Sequence, residues 1–177
     1  MHRLPFIITI GALACLAQTA TPEPEMADIF YRLDQGTLVP LERQAPATRS
    51  NAHGFFVMNL TTVSEYPGAK SPVRFKSGER FDFVVRTVVP VFAVDPNTIY
   101  VLRKLDAKKK TRDVPIMTGH FSPLGTSTTT TPAEGILPVE FSRYGRSSLK
   151  MTSGELAPGE YAVGHLHGPA VFCFGVD

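Results

Sequence analysis

Two histidines stand one residue apart near the end of the chain, in "GEYAVGHLHGPAVFCFGVD". Positions i and i+2 of a strand face the same way, so His165 and His167 would present two imidazoles to one metal ion. His53 and His120, both in stretches that read as loops, are the third and fourth ligands such a site would draw on. A catalytic zinc takes three protein ligands and keeps one position open. Against this, Gly168-Pro169 follows the pair at once. That dipeptide sets the histidines on a hairpin tip, where exposed loop histidines with no ligand role are the plainer reading.

Cys173 lies in "AVFCFGV". Phe172, Phe174 and Val176 alternate with Val171, Cys173 and Gly175, so both faces of this strand are apolar or small. That is the pattern of a strand buried on both sides. A free cysteine in such a place behaves as a small hydrophobe rather than a nucleophile. No Lys, Arg or His adjoins it along the strand to activate the thiol. An intermolecular disulfide and a catalytic thiol are the alternatives.

The strongest charge feature is "RKLDAKKKTRD", which gathers Arg103, Lys104, Lys108, Lys109, Lys110 and Arg112. Lys108, Lys109, Lys110 and Arg112 form a candidate patch for an anionic surface or an acidic partner. The alternative is a solvated hairpin tip whose lysines discourage edge-to-edge pairing. Serine chemistry has no support, since no Gly-X-Ser-X-Gly elbow occurs. No phosphate-binding glycine loop occurs either, and Glu23 and Glu25 fall in a leader. Asn59-Leu60-Thr61 matches a glycosylation sequon, but inside a strand-like apolar run. No cofactor is implied.

These residues need a scaffold, and composition limits what it can be. The chain has 177 residues, a length for one domain, and a formal net charge of +2 that gives no case for nucleic acid. Hydrophobic residues make up 43% and charged ones 19%, which is globular rather than disordered. Residues 1–20 read "MHRLPFIITIGALACLAQTA": a positive start, a charge-free apolar stretch over 4–16, then small residues. This is the layout of a cleaved secretory signal, too short for a retained transmembrane helix. Cys15 leaves lipidation open as a minor alternative. Secretion or a periplasmic location is therefore expected, with 21–27 as a flexible leader and 28–177 as the domain. Without the signal, Cys173 is the only cysteine.

The mature stretch breaks into about ten short strand-like runs separated by Pro, Gly, Asn and Asp. No segment sustains a helical apolar period. "IFYRLDQGTLVPLERQ" reads as a hairpin turning at 34–37, with Pro40 demoting its second arm to an edge. "VRFKSGERFDFVVRTV" reads as a second hairpin and "IYVLRKLDAKKKTRDVPIM" as a third. "APATRSNAHG" and "VSEYPGAKSP" read as loops, and the threonine run in "GHFSPLGTSTTTTPAEG" carries no assigned structure. The expectation is all-β: a single-domain antiparallel sandwich, immunoglobulin-like or related.

In "LAPGEYAV", Pro158-Gly159 turns the chain and Tyr161 then starts a strand. A tyrosine placed there bonds back to loop backbone in immunoglobulin-like sandwiches. Together with "YGRSSLKM" before it and "FCFGVD" after it, this resembles the end of uncharacterised secreted bacterial proteins. The likeness extends to "LVPLERQ" and "VDPNTIYVLRKL". The resemblance implies a secreted β-sandwich and supplies no activity, ligand or site residue.

The functional expectation is a non-enzymatic binding or cell-envelope accessory domain. Its partner would be an envelope protein or an anionic surface. A metal-binding protein or metalloenzyme using His165 and His167, and a small hydrolase whose site is assembled from distant residues, are the alternatives.

Overall fold

The computed structural model describes residues 21–54, 56–88, 90–91, 93–130, 135–166 and 168–177. The expected signal segment and His167 lie outside the described residues. The chain is all-β, with antiparallel sheets curled into a half-barrel. One sheet has five strands: β1 (Phe30–Asp34), β2 (Thr37–Pro40), β7 (Arg80–Arg86), β12 (Val139–Tyr144) and β13 (Ser148–Glu155), in the order β12-β13-β7-β1-β2. The second sheet has ten. Its main path is β3 (Glu42–Gln44), β15 (Val171–Val176), β14 (Gly159–His165), β8 (Tyr100–Ala107), β9 (Thr111–Ser122), β5 (Met58–Pro67) and β4 (Ala47–His53). Three strands branch from this path: β6 (Arg74–Phe75) on β15, β10 (Gly125–Thr130) on β9, and β11 (Ile136–Leu137) on β8.

The two sheets face each other across an aromatic core. Phe30, Phe81, Phe83, Leu149 and Met151 from the small sheet meet Tyr100, Leu102, Tyr161, Val163, Phe172 and Phe174 from the large one. Ring centroids stand 5.1 Å apart for Phe83 and Phe174, and 5.3 Å for Phe30 and Tyr100. Alternation along β8, β14 and β15 sends the intervening residues to the other face of the large sheet. There Tyr66, Leu105, Val114, Ala162 and Cys173 make a second, smaller cluster. Cys173 is fully buried, as the two-faced apolar pattern predicts.

The terminal hairpin forms as expected, with Tyr161 opposite Phe174. The Tyr161 hydroxyl donates to the Ala157 carbonyl at 2.6 Å, tying the Pro-Gly turn to the strand it introduces. The first hairpin turns on Gln35 and Gly36, both at positive φ. That is the two-residue geometry matching strand twist. Pro40 ends β2 at the sheet edge, and the chain then crosses to the other sheet as β3.

Other readings need correction. "VRFKSGERFDFVVRTV" is not a hairpin: β6 pairs in parallel with β15 while β7 joins the small sheet, so the turn spans the two layers. "APATRSNAHG" contributes β4, a polar edge strand, and "VSEYP" belongs to β5. The threonine run is β10, paired with β9 from Gly125↔Ser122 to Thr130↔Met117. Polar sequence hid β4 and β10, because an edge strand has no apolar face to display, while Ser64 and Glu65 masked the strand character of β5 although Ser64 and Tyr66 are buried.

The leader is docked rather than free. Glu23 accepts hydrogen bonds from Arg146 N (2.7 Å), Ser147 N (3.0 Å), Ser147 Oγ (3.1 Å) and Ser148 Oγ (2.7 Å). Burial pushes its pKa up, but these donors outweigh that and bring it down to about 2. Gly145, at φ +62, makes the turn possible and leaves room, since a Cβ there would stand 2.2 Å from Glu23 Oε1. Asp28 N then bonds Arg86 O at 2.9 Å, bringing the chain to the start of β1.

Candidate functional site

The basic hairpin divides by residue type. Lys104, Lys108, Lys109 and Lys110 are exposed, and Lys108 pairs with Asp106. Arg112, expected on the anion-facing tip, instead points inward and has no exposed surface. It sits on the inward face of β9, one turn of alternation from solvent. It binds Glu42 bidentately (2.8 and 3.2 Å), donates to the carbonyls of Gly68 (3.1 Å) and Pro67 (2.8 Å), and stands 3.7 Å from Glu160. Glu160 in turn accepts from Ser71 N at 2.7 Å and pairs with Arg74. A Cβ on Gly175 would stand 1.7 Å from Arg74 Nη1, so that glycine makes the space for the guanidinium. Every charge in this network has a partner, and it joins β3, β9, β14 and the loop before β6. Its work is structural.

Cys173 lies among these charges and is nevertheless inert. Burial, with Glu42 and Glu160 adding to it against Arg112, pushes its thiol up to about 12.

The histidines separate into two places. His53, Asn59 and His120 form one cross-strand row over β4, β5 and β9, with His120 Nδ1 2.8 Å from Asn59 Oδ1. His165 ends β14. Its Nε2 is 3.1 Å from Asp28 Oδ1, and its ring meets Tyr100 edge-on at 4.7 Å. Asp28 holds a left-handed backbone at φ 58 to reach it. Burial, with the nearby Asp28 carboxylate adding to it, pushes the Tyr100 phenol up to about 12. Among the described residues no group of three or more His, Cys, Asp and Glu is arranged to hold a metal. No serine, threonine or cysteine among them hydrogen-bonds to His165 to make the dyad a nucleophile's base.

A different site emerges where the third hairpin opens. β8 and β9 pair only near the tip, at Asp106↔Asp113 and Ala107↔Arg112. Beyond that β8 stays with β14, from Glu160↔Leu105 to His165↔Tyr100, while β9 stays with β5. Two features drive the parting. Pro115 has no N–H to give to a ladder, and the β5–β9 register shifts beside it, between Thr62 and Val63. β11 takes up the vacated edge of β8, with Ile136 opposite Arg103.

Between the splayed arms lies a cavity of about 370 Å³. Val101 and Leu105 of β8, Val114 and Ile116 of β9, and Ala162 and Val171 supply apolar wall. β5 supplies a polar stripe, because Thr62, Ser64 and Tyr66 succeed one another on its inner face, all buried. Arg103 reaches into this space with only 7% of its surface exposed. Its Nη2 is buried without a hydrogen-bond partner among the described residues. Burial pulls the guanidinium's pKa down, and Tyr66 alone opposes it. Burial likewise pushes the Tyr66 phenol up to about 12, so it stays a neutral hydroxyl.

Other incompletely satisfied polar groups differ from this one. Arg32 Nε and Asp113 Oδ1 also lack partners, but Arg32 pairs with Glu79 at 3.1 Å and Asp113 with Arg49 at 3.1 Å. The outer face of the same strands carries a wider hollow of about 760 Å³ near Arg49, Lys104, Asp106 and Asp113. Its Arg49 and Lys108 are already paired with carboxylates. Sequence reasoning missed Arg103 as a site residue, having counted it into the exposed basic tip. The signal was present: an arginine at a core position of an apolar alternation, and a proline inside the opposite strand.

Comparison with protein-family models, with curated proteins and with solved structures finds no match.

Proposed function

We propose that this chain is a secreted or periplasmic, non-enzymatic binding domain that takes a small molecule into the β8–β9 cleft. The observation that carries this is the cleft itself. A sheet that packs one face densely against five strands leaves, on its other face, a cavity of about 370 Å³ walled mainly by apolar side chains. Interiors are normally filled to crystal-like density, and ligand sites are concave, largely apolar and sparingly polar. Export is supported by the signal-like layout of residues 1–20 and by the resemblance to secreted bacterial proteins. The lysine tip is read as a solvated edge guard rather than as the binding surface, since Arg112 is withdrawn from it.

A neutral solvatochromic dye tests the reading. 1-Naphthylamine should bind the purified protein saturably, with a blue-shifted emission. Ile116→Phe, which fills the wall, should abolish that signal while leaving the β-sheet circular dichroism intact. Absence of saturable binding, or binding unchanged in a folded Ile116→Phe protein, overturns it.

A further inference from the structure

The cleft contains a charge it does not balance. Arg112, on the next strand, shows how this protein satisfies a buried guanidinium: a bidentate carboxylate and two carbonyls. Arg103 is nearly as buried and, among the described residues, has none of these, with its Nη2 bare. A buried cation without a counter-charge is costly, and apolar replacements of similar shape are generally tolerated there. A partner brought from outside resolves that cost. The site also has a direction. Hydroxyls of Thr62, Ser64 and Tyr66 line the β5 side, while Val101, Leu105, Val114, Ile116 and Val171 line the rest. Thr62 is already bonded to Ser50 at 2.9 Å, and the Tyr66 hydroxyl shares a hydrogen bond with Ser64 and feels the Arg103 charge. The other basic side chain on the lining, His165, is engaged with Asp28 at 3.1 Å. One open positive charge calls for one negative charge. The planar guanidinium favours a carboxylate, which it can hold with two parallel bonds.

Resting on the cleft as a ligand site, we propose that its ligand is an amphiphilic monocarboxylate, head group on Arg103 and apolar body along Val101, Ile116 and Val171. At roughly 30 Å³ per non-hydrogen atom, the liquid-water share, a cavity of about 370 Å³ takes about a dozen such atoms, the size of a medium-chain fatty acid.

Calorimetric titration of the purified protein with decanoate, decanol and decyltrimethylammonium tests the class. Decanoate should bind about ten- to a hundred-fold more tightly than decanol, the worth of a charge-assisted hydrogen bond. The cationic amphiphile should not bind. Arg103→Met should erase the preference for decanoate over decanol. Arg103→Lys should keep part of it. Because Arg103→Met removes an unbalanced buried charge, the ligand-free variant should melt at or above the wild-type temperature. A lower Tm would show that Arg103 has a structural partner and would overturn the proposal. Equal binding of decanoate and decanol also overturns it while leaving the cleft as a ligand site. If neither amphiphile binds and 1-naphthylamine also fails, the cleft reading falls with it. If neither binds but the dye does, only the monocarboxylate is refuted.

Discussion

The docking of Glu23 on the β12–β13 turn makes a prediction whose size follows from the geometry. One carboxylate oxygen accepts from Arg146 N, and the other accepts from Ser147 N, Ser147 Oγ and Ser148 Oγ. Glu23→Gln keeps the shape but turns one of those oxygens into a donor. Either orientation of the amide then faces a backbone N–H with a donor, Arg146 N or Ser147 N, and leaves that bond unmade, while the serine hydroxyls can turn to accept. The pKa fall from 4.5 to about 2 corresponds to about 3 kcal/mol, at about 1.36 kcal/mol per pKa unit. The carboxylate is partly exposed, so solvent screening reduces this ceiling to about 1–2 kcal/mol. The folded-state pKa lies below the unfolded one. The contribution is therefore fully present above pH 4.5 and is lost as pH falls through 2. Urea unfolding of wild type and Glu23→Gln at a series of pH values measures it. The two proteins should differ by about 1–2 kcal/mol at pH 7, and the difference should shrink steadily between pH 4.5 and pH 2. Equal stability at pH 7, or a gap that persists undiminished at pH 2, would refute the latch.

Three further outcomes follow from other parts of the fold. Arg112→Met should cost about 3 kcal/mol in chemical unfolding, because it leaves the half-buried Glu42 carboxylate without its cation and the buried Glu160 with Arg74 alone. Tyr161→Phe should cost about 1 kcal/mol, the net worth of the hydroxyl's bond to the Ala157 carbonyl. Cys173 should resist a thiol reagent such as Ellman's at pH 8 under native conditions and react at once in urea, since burial holds its thiol up to about 12. Rapid native labelling would mean that the strand opens.

The parts of the fold that were legible in the sequence are those with an apolar face. Phe81, Phe83 and Val85 alternate in β7, and Phe172, Phe174 and Val176 in β15, and each set packs as its period requires. Pro40 and Pro158-Gly159 mark an edge and a turn because proline and glycine act locally. β4 and β10 were missed because they are polar edge strands, held by pairing with β5 and β9 rather than by burial of their own side chains. The layer change between β6 and β7 was missed because a turn motif does not say which sheet each arm joins. The candidate site suffered most. "RKLDAKKKTRD" reads as one basic cluster, but alternation turns Arg103 and Arg112 inward while the lysines stay outside. Whether an inward arginine is balanced depends on residues such as Glu42, 70 positions away in sequence. No local pattern carries that information.

The central claim is that the space between β8 and β9 is where a ligand goes, and mapping a titration onto the chain tests it most directly. Decanoate added to isotope-labelled protein should shift the methyl resonances of Val101, Leu105, Val114, Ile116 and Val171, and the side-chain guanidinium of Arg103, with one common saturation curve. The contradicting result is a set of shifts centred elsewhere. The exposed apolar residues Phe56, Val57, Met58 and Leu124, at the far ends of β5 and β9, are the competing location. Saturable shifts there, with the cleft methyls unmoved, would leave Arg103 without the role assigned to it.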